Sequence, residues 1–248
     1  MASFQIFTEP EKQSIRKAGK ILRGCLEHTA LHVKPGITTD ELDTIAETYI
    51  RKHGGIPGFK GYGGFPKSLC ISIDEECVHG IPGKRVLTDG EIVSLDCGVV
   101  VDGLNTDACI TLPVGNISDE AKMLLQITEK ALNDAVHIIR AGIKVGDISS
   151  TIQQCVEQAG FSCIPALTGH GLGKTLHQFP DIPNVGKAGT GPKLPVGTLI
   201  AVEPIVAAGK GQILQDPDGW TLRTKDGSLS CHFEHTLLIT EDGCEVIA

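Results

Sequence analysis

The chain repeats itself, and the repeat limits the fold more than any other feature. At an offset of 106, Val33-Lys-Pro-Gly36-Ile37 matches Ile139-Arg-Ala-Gly142-Ile143, Glu41-Leu42 matches Asp147-Ile148, Ile50 matches Val156 and Gly54 matches Gly160. The offset becomes 107 where Leu87-Thr-Asp-Gly90-Glu-Ile-Val-Ser-Leu-Asp96 aligns without gaps on Leu194-Pro-Val-Gly197-Thr-Leu-Ile-Ala-Val-Glu203. Further on, Asp107-Ala-Cys-Ile-Thr-Leu answers Glu234-His-Thr-Leu-Leu-Ile after about 20 inserted residues. Each half then reads as helix, helix, strands and an acid-bearing hairpin. The expected architecture is α+β, in two pseudo-symmetric halves at about 9–113 and 117–240. A length of 248 residues is near the upper size of one core, so 1–248 is expected to be a single domain.

The hairpin in each half carries the chemistry. Residues 92–112 form two β-rich runs flanking a turn at Val101-Asp102-Gly103. A turn there makes antiparallel partner numbers sum to about 203, so Asp96 and Asp107 face each other. Cross-strand Cβ atoms lie roughly 5 Å apart. Two carboxylates that close on buried strands repel unless a cation lies between them. The plain alternative is a pair of solvated strand-end carboxylates. The second copy argues against it, because a pseudo-dyad would bring Asp96 with Asp107 and Glu203 with Glu234 to one point. Four carboxylates there call for metal, as two ions.

Four helices are expected over about 9–32, from 38 to 54, 119–141 and about 147–158. Leu125, Ala131, Leu132, Ala135, Val136 and Ile139 face inward on the third. Residues 57–67 form a Gly-rich loop holding Phe59, Tyr62 and Phe65. Aromatics suit a pocket wall better than a linker. Val78-His79-Gly80-Ile81-Pro82 is a turn presenting a histidine.

The net charge of −8 suits a cation-attracting site and argues against nucleic-acid or membrane-surface partners. Lys52, Lys60, Lys67, Lys84 and Arg85 could still form a basic patch. Nine Cys without a CxxC pair, and no basic-then-apolar leader, suggest reduced thiols and a cytoplasmic location. No apolar run is long enough to span a bilayer.

Gly169-His170-Gly-Leu-Gly-Lys174-Thr175 imitates the end of a phosphate-binding loop, but its first glycine would fall on Thr168 and Leu176-His177-Gln-Phe-Pro is turn-rich rather than helical. The wider pattern points elsewhere. Val78-His79-Gly-Ile-Pro, Asp96, Asn105-Thr-Asp107, Gly169-His170-Gly-Leu-Gly, His177, Val202-Glu203-Pro and Phe233-Glu234-His-Thr resemble, in order and spacing, the type I methionine aminopeptidases in their compact bacterial form. The resemblance covers about residues 10–240. It implies the pita-bread fold, a curved antiparallel sheet covered by helices. It implies that Asp96, Asp107 and Glu234 hold one divalent metal ion, that Asp107 and Glu234 bridge to a second, and that His170 and Glu203 complete that second site. One imidazole with four carboxylates favours Co2+, Mn2+ or Fe2+ over a thiolate zinc site. Glu203 would also shuttle protons, and His79 and His177 would contact substrate and steady the oxyanion. Phe59, Tyr62, Phe65, Cys70, Leu176 and Trp220 would line the methionine pocket, where thioether meets aromatic and sulfur. Phe59, Phe65 and Leu176 depart from the family pattern, which bears on pocket size and not on the reaction. Trp220 falls in an inserted loop at 216–227, read as a lid.

The implied reaction is removal of the initiator methionine when the second residue is small. The implied partners are nascent-chain N-termini and, as a candidate, the ribosome; the implied state is a monomer. The chain's own Met1-Ala2 fits that substrate rule. The competing readings are an Xaa-Pro aminopeptidase or dipeptidase of the same fold and a non-catalytic pita-bread binding protein.

Overall fold

In the computed structural model, which describes residues 3–248, the first half is set by the turn at Asp102-Gly103. Both residues have positive φ, 51° and 76°. That pair of angles makes a two-residue hairpin loop whose twist suits the flanking strands. Val101 therefore pairs with Leu104, and partner numbers sum to 205 rather than about 203. Asp96 faces Cys109, and Asp107 faces Gly98. The expected direct opposition of Asp96 and Asp107 is thus corrected to a diagonal. A slip of two residues keeps both acids on the same face of the sheet. The expectation about Met1-Ala2 lies outside the described residues.

The other face of the strand Ile92–Val101 carries Leu95, Cys97 and Val99 into a core shared with helices α1 (Glu9–Ala30) and α2 (Thr39–Lys52). Both helices open on a capping box, Thr8 with Glu11 and Thr38 with Glu41. In the second half, α3 (Asp119–Ile138) and α4 (Val145–Gln158) cover Ile200, Val202, Leu237 and Ile239. Helix α3 ends before residue 139, and α4 starts two residues earlier than expected. Leu125 and Val136, expected inward, pack only at the core margin, while Leu124 is fully buried.

The second-half hairpin is one long ribbon in a single register. Leu199 pairs with Leu238, Ile205 with His232, and Gln215 with Leu222, partner numbers summing to 437 throughout. The ladder breaks at Glu203-Pro204 opposite Phe233-Glu234. Pro204 has no N–H to donate, so a break there is built into the sequence. Glu203 and Glu234 sit directly opposite each other in that gap.

The two halves meet edge to edge. Cys109 and Glu234 exchange backbone hydrogen bonds of 3.4 and 3.0 Å. Thr111 Oγ1 donates to the His232 carbonyl at 2.5 Å, and Thr236 Oγ1 donates to the Asp107 carbonyl at 2.6 Å. The paired threonine contacts mark an approximate two-fold through the Cys109–Glu234 pair. It equates Asp96 with Glu203, as the sequence alignment has it. It equates Asp107 with His232, and Cys109 with Glu234, two residues away from the expected match of Asp107 to Glu234.

The loop at 57–67 contains a single 3-10 turn, Tyr62–Gly64. Its ends are tied down: Gly58 N–H donates to Gly98 O at 2.7 Å, and Asp43 accepts from Ser68 and Leu69 N–H, both at 2.8 Å. The candidate basic patch is largely ion-paired, Lys60 to Glu47, Lys67 to Asp40, and Arg85 to Glu76 and Glu91.

Candidate metal centre and substrate cleft

One cleft gathers every side chain expected to carry function. Phe59, Tyr62, Phe65, Cys70, His79, Asp96, Asp107, His170, Leu176, His177, Glu203, Trp220 and Glu234 line it, with Val78 as the one addition. The acids hold one end. Asp96, Asp107 and Glu234 are 9 %, 4 % and 3 % exposed. Each offers an oxygen within 4.8 Å of the others. His170, Glu203 and Glu234 meet the same distance, so Glu234 belongs to both groups. His170 Nε2 lies 3.6 Å from Glu203 Oε1 and 3.8 Å from Asp107 Oδ2.

The electrostatics of this end are those of a cation site. Asp96 Oδ1, Asp107 Oδ1 and Glu234 Oε1 are buried without a hydrogen-bond donor. A buried carboxylate oxygen without a donor is costly. Burial pushes the Asp107 carboxyl well above its usual range, and the charges of Glu234 and Asp96 push it further. Burial likewise raises Glu203, with Asp107 and Asp96 adding, and raises Glu234, with Glu203 and Asp96 adding. Burial carries the His170 imidazole down to about 4, His177 reinforcing it. His170 is therefore neutral near pH 7. Its Nδ1 lies 3.0 Å from the Gly171 carbonyl. With the proton assigned to Nδ1, Nε2 turns a lone pair toward the acids. Donor-poor oxygens plus one such nitrogen fit divalent cations of hard or intermediate character.

A third grouping joins Asp107, His170 and His177. His177 has another engagement: its Nδ1 lies 3.1 Å from the Tyr62 hydroxyl. Its ring stands edge-on to His170 at 4.3 Å. Burial lowers the His177 pKa.

The other end is apolar. Phe59, Phe65, Cys70 and Leu176 form a small buried cluster against Ile81 and Trp220. Phe65 meets Trp220 edge-to-face at 5.2 Å, so Trp220 is part of the cleft wall. The ribbon tip that carries it is anchored, because Leu222 pairs with Val78 in the strand leading to His79. His79 itself has φ 62°, the left-handed region that a histidine seldom occupies. The glycine after it is obligatory, since a Cβ on Gly80 would sit 2.1 Å from the Ile71 carbonyl oxygen. This tight corner aims His79 into the cleft, 6.4 Å from the Trp220 ring. Burial lowers the His79 pKa.

The phosphate-loop imitation resolves as a turn. Gly173 O accepts from Asn105 N–H at 2.7 Å and Asn105 Nδ2 at 2.8 Å, and the strand Gln178–Pro183 follows instead of a helix. Two features escaped sequence reading. One is the Tyr62–His177 contact, between residues 115 apart. The other is His232, 1 % exposed, with Nε2 at 3.9 Å from Asp96 Oδ2. Strand alternation from Glu234 would have put position 232 on the acid face.

The fold and this centre define a metallopeptidase: the sequence profile of Metallopeptidase family M24 matches residues 13–241, and the chain belongs to that family. It is 47 % identical to the methionine aminopeptidase of Clostridium perfringens over 96 % of both chains. It is 46 % identical to methionine aminopeptidase 1 of Bacillus subtilis over 97 % of both. The crystal structure of the Thermotoga maritima methionine aminopeptidase superposes with a TM-score of 0.98 at 41 % identity, covering 99 % of each chain. The architecture is the pita-bread fold of this family.

Proposed function

We propose that this chain, acting as one catalytic unit and as a monomer in the cytoplasm, removes the initiator methionine from nascent proteins whose second residue is small. The observation that carries the reading is the meeting, in one cleft, of a donor-poor buried acid cluster and an apolar wall of aromatic and sulfur side chains. The names of the similar proteins support it.

Asp96, Asp107 and Glu234 would hold one divalent ion, and His170 with Glu203 a second, Asp107 and Glu234 being shared. Two such ions would supply Lewis-acid polarisation of the scissile carbonyl and a hydroxide nucleophile near neutral pH. The remaining work falls to side chains. Phe59, Phe65, Cys70, Leu176 and Trp220 receive the thioether and exclude water. His79 and His177 donate to the substrate carbonyl as it gains negative charge. Tyr62, through its hydroxyl on His177 Nδ1, orients that ring so that Nε2 faces the substrate. Glu203, whose carboxylate faces the same centre, takes the proton released by the attacking water and passes it to the leaving amine.

Hydrolysis of Met-Ala-Ser, compared with an Xaa-Pro peptide and with and without EDTA, tests the reading. Cleavage of Met-Ala-Ser alone, lost with EDTA and restored by Co2+, Mn2+ or Fe2+, is expected. Preference for the Xaa-Pro peptide would replace the specificity, and inertness toward both with metal present would make this a binding protein.

A further inference from the structure

We propose that His232 is a positioning residue of the metal centre, its Nε2–H donating to Asp96 and holding that carboxylate in its ligating orientation. The inference rests on the two-ion reading above and adds a residue to it.

Three observations carry it. His232 is 1 % exposed, yet both Nδ1 and Nε2 lack a hydrogen-bond partner. A buried imidazole with neither nitrogen satisfied costs the desolvation of both, so a fold that keeps it needs a compensating contact. The nearest acidic oxygen is Asp96 Oδ2, 3.9 Å from Nε2. A shift of about 1 Å brings that pair to hydrogen-bond length. Finally, the approximate two-fold equates His232 with Asp107, so the chain carries an imidazole on the acid-facing side of the strand where the other half carries a ligand.

His232 does not serve as a ligand in its own right. Among the described residues, no group of three ligand atoms lying within 4.8 Å of one another includes it. Its backbone is also committed: its carbonyl accepts from Thr111 Oγ1 at 2.5 Å, and its strand Ser230–His232 is paired with Ile205–Ala207. The ring lies beside Asp96 and is not part of the cleft lining. Outer-layer donors to ligating carboxylates fix the orientation of the lone pair the ion meets, and their loss typically costs about 10–100-fold in metal affinity. The effect should be confined to the ion held by Asp96, Asp107 and Glu234, because His232 touches neither His170 nor Glu203 in the described contacts.

Stepwise titration with Co2+, read by calorimetry and by the visible absorption of the bound ion, tests this on wild type, His232→Gln and His232→Met. Gln offers an N–H toward Asp96, and Met fills similar volume without one. Met should weaken one of the two ions about 10–100-fold and leave the other unchanged, and Gln should stay within about threefold of wild type. Wild-type binding of both ions by the Met variant overturns the proposal, as does equal weakening by Gln and Met. Should the Met variant not fold, nitrogen-15 NMR of the wild-type histidines decides: a protonated Nε2 at His232 in the metal-loaded protein supports it, and a bare Nε2 sinks it. Wild type that binds no ion at all would instead defeat the two-ion reading.

Discussion

Asp107 belongs to the group with Asp96 and Glu234, its Oδ2 lies 3.8 Å from His170 Nε2, and its buried Oδ1 has no donor. Replacing it with Asn removes a charge shared between two proposed ions. Metal content should fall by at least one equivalent, and hydrolysis should drop well over a hundredfold, since even outer-layer partners cost about 10–100-fold. Elemental analysis beside a Met-Ala-Ser assay checks this; unchanged metal with full activity would defeat the ligand assignment. Gly98 is the neutral counterpart in the same register. A Cβ there would come within 2.7 Å of Phe59 Cε1, pressing the ring toward the thioether pocket. Gly98→Ala should raise KM for methionyl peptides about tenfold, equivalent to ~1.4 kcal/mol. Its metal content should stay at the wild-type level, which separates pocket damage from centre damage.

Elements position these residues through a few ties. The aromatic loop at 57–67 has little regular structure of its own, and α2 holds its far end through Asp43. Asp43 is 4 % exposed and accepts two backbone N–H groups, from Ser68 and Leu69. Asp43→Ala strands both donors in the interior and should destabilise by about 2–4 kcal/mol, with KM rising more than kcat falls. Asp43→Asn keeps an acceptor oxygen and should cost about 1 kcal/mol. Equal melting temperatures for the two variants would show that the donors find other partners. Trp220 depends on a similar tie, the pairing of its ribbon with the strand before His79, so pocket wall and substrate-contacting histidine share one support.

The molecule as a whole concentrates charge at the junction of its halves, and pH acts there. In the metal-free protein, Asp107, Glu203 and Glu234 have raised pKa values. Stability from such groups is complete below the ordinary carboxylate range and is lost as pH rises through the raised values. His170, lowered to about 4, has the opposite sign, its contribution being present above 6.5 and lost as pH falls. In EDTA-treated protein these raised carboxyls should therefore lower the melting temperature as pH rises above the ordinary carboxylate range, while bound divalent ions offset their repulsion. The gap between loaded and stripped protein should widen with pH. A calorimetric gap that stays constant or narrows would mean the acids are not competing with protons for a cation.

Read from its residues alone, the chain declared its class. The doubled pattern of glycine, apolar run and acid and the periodicity of the four helices are local properties, and each survived in the fold. What local pattern could not give was register. The first hairpin closes one residue pair later than the composition of its turn suggests, because only backbone geometry at Asp102-Gly103 selects the closing pair. Both errors were of two residues, and strand side chains alternate with period two, so the acids kept their face while their partners changed. The Tyr62–His177 contact and the burial of His232 beside Asp96 belong to the packing of one half against the other. Those contacts join residues more than a hundred positions apart, and no periodicity within a strand carries that distance.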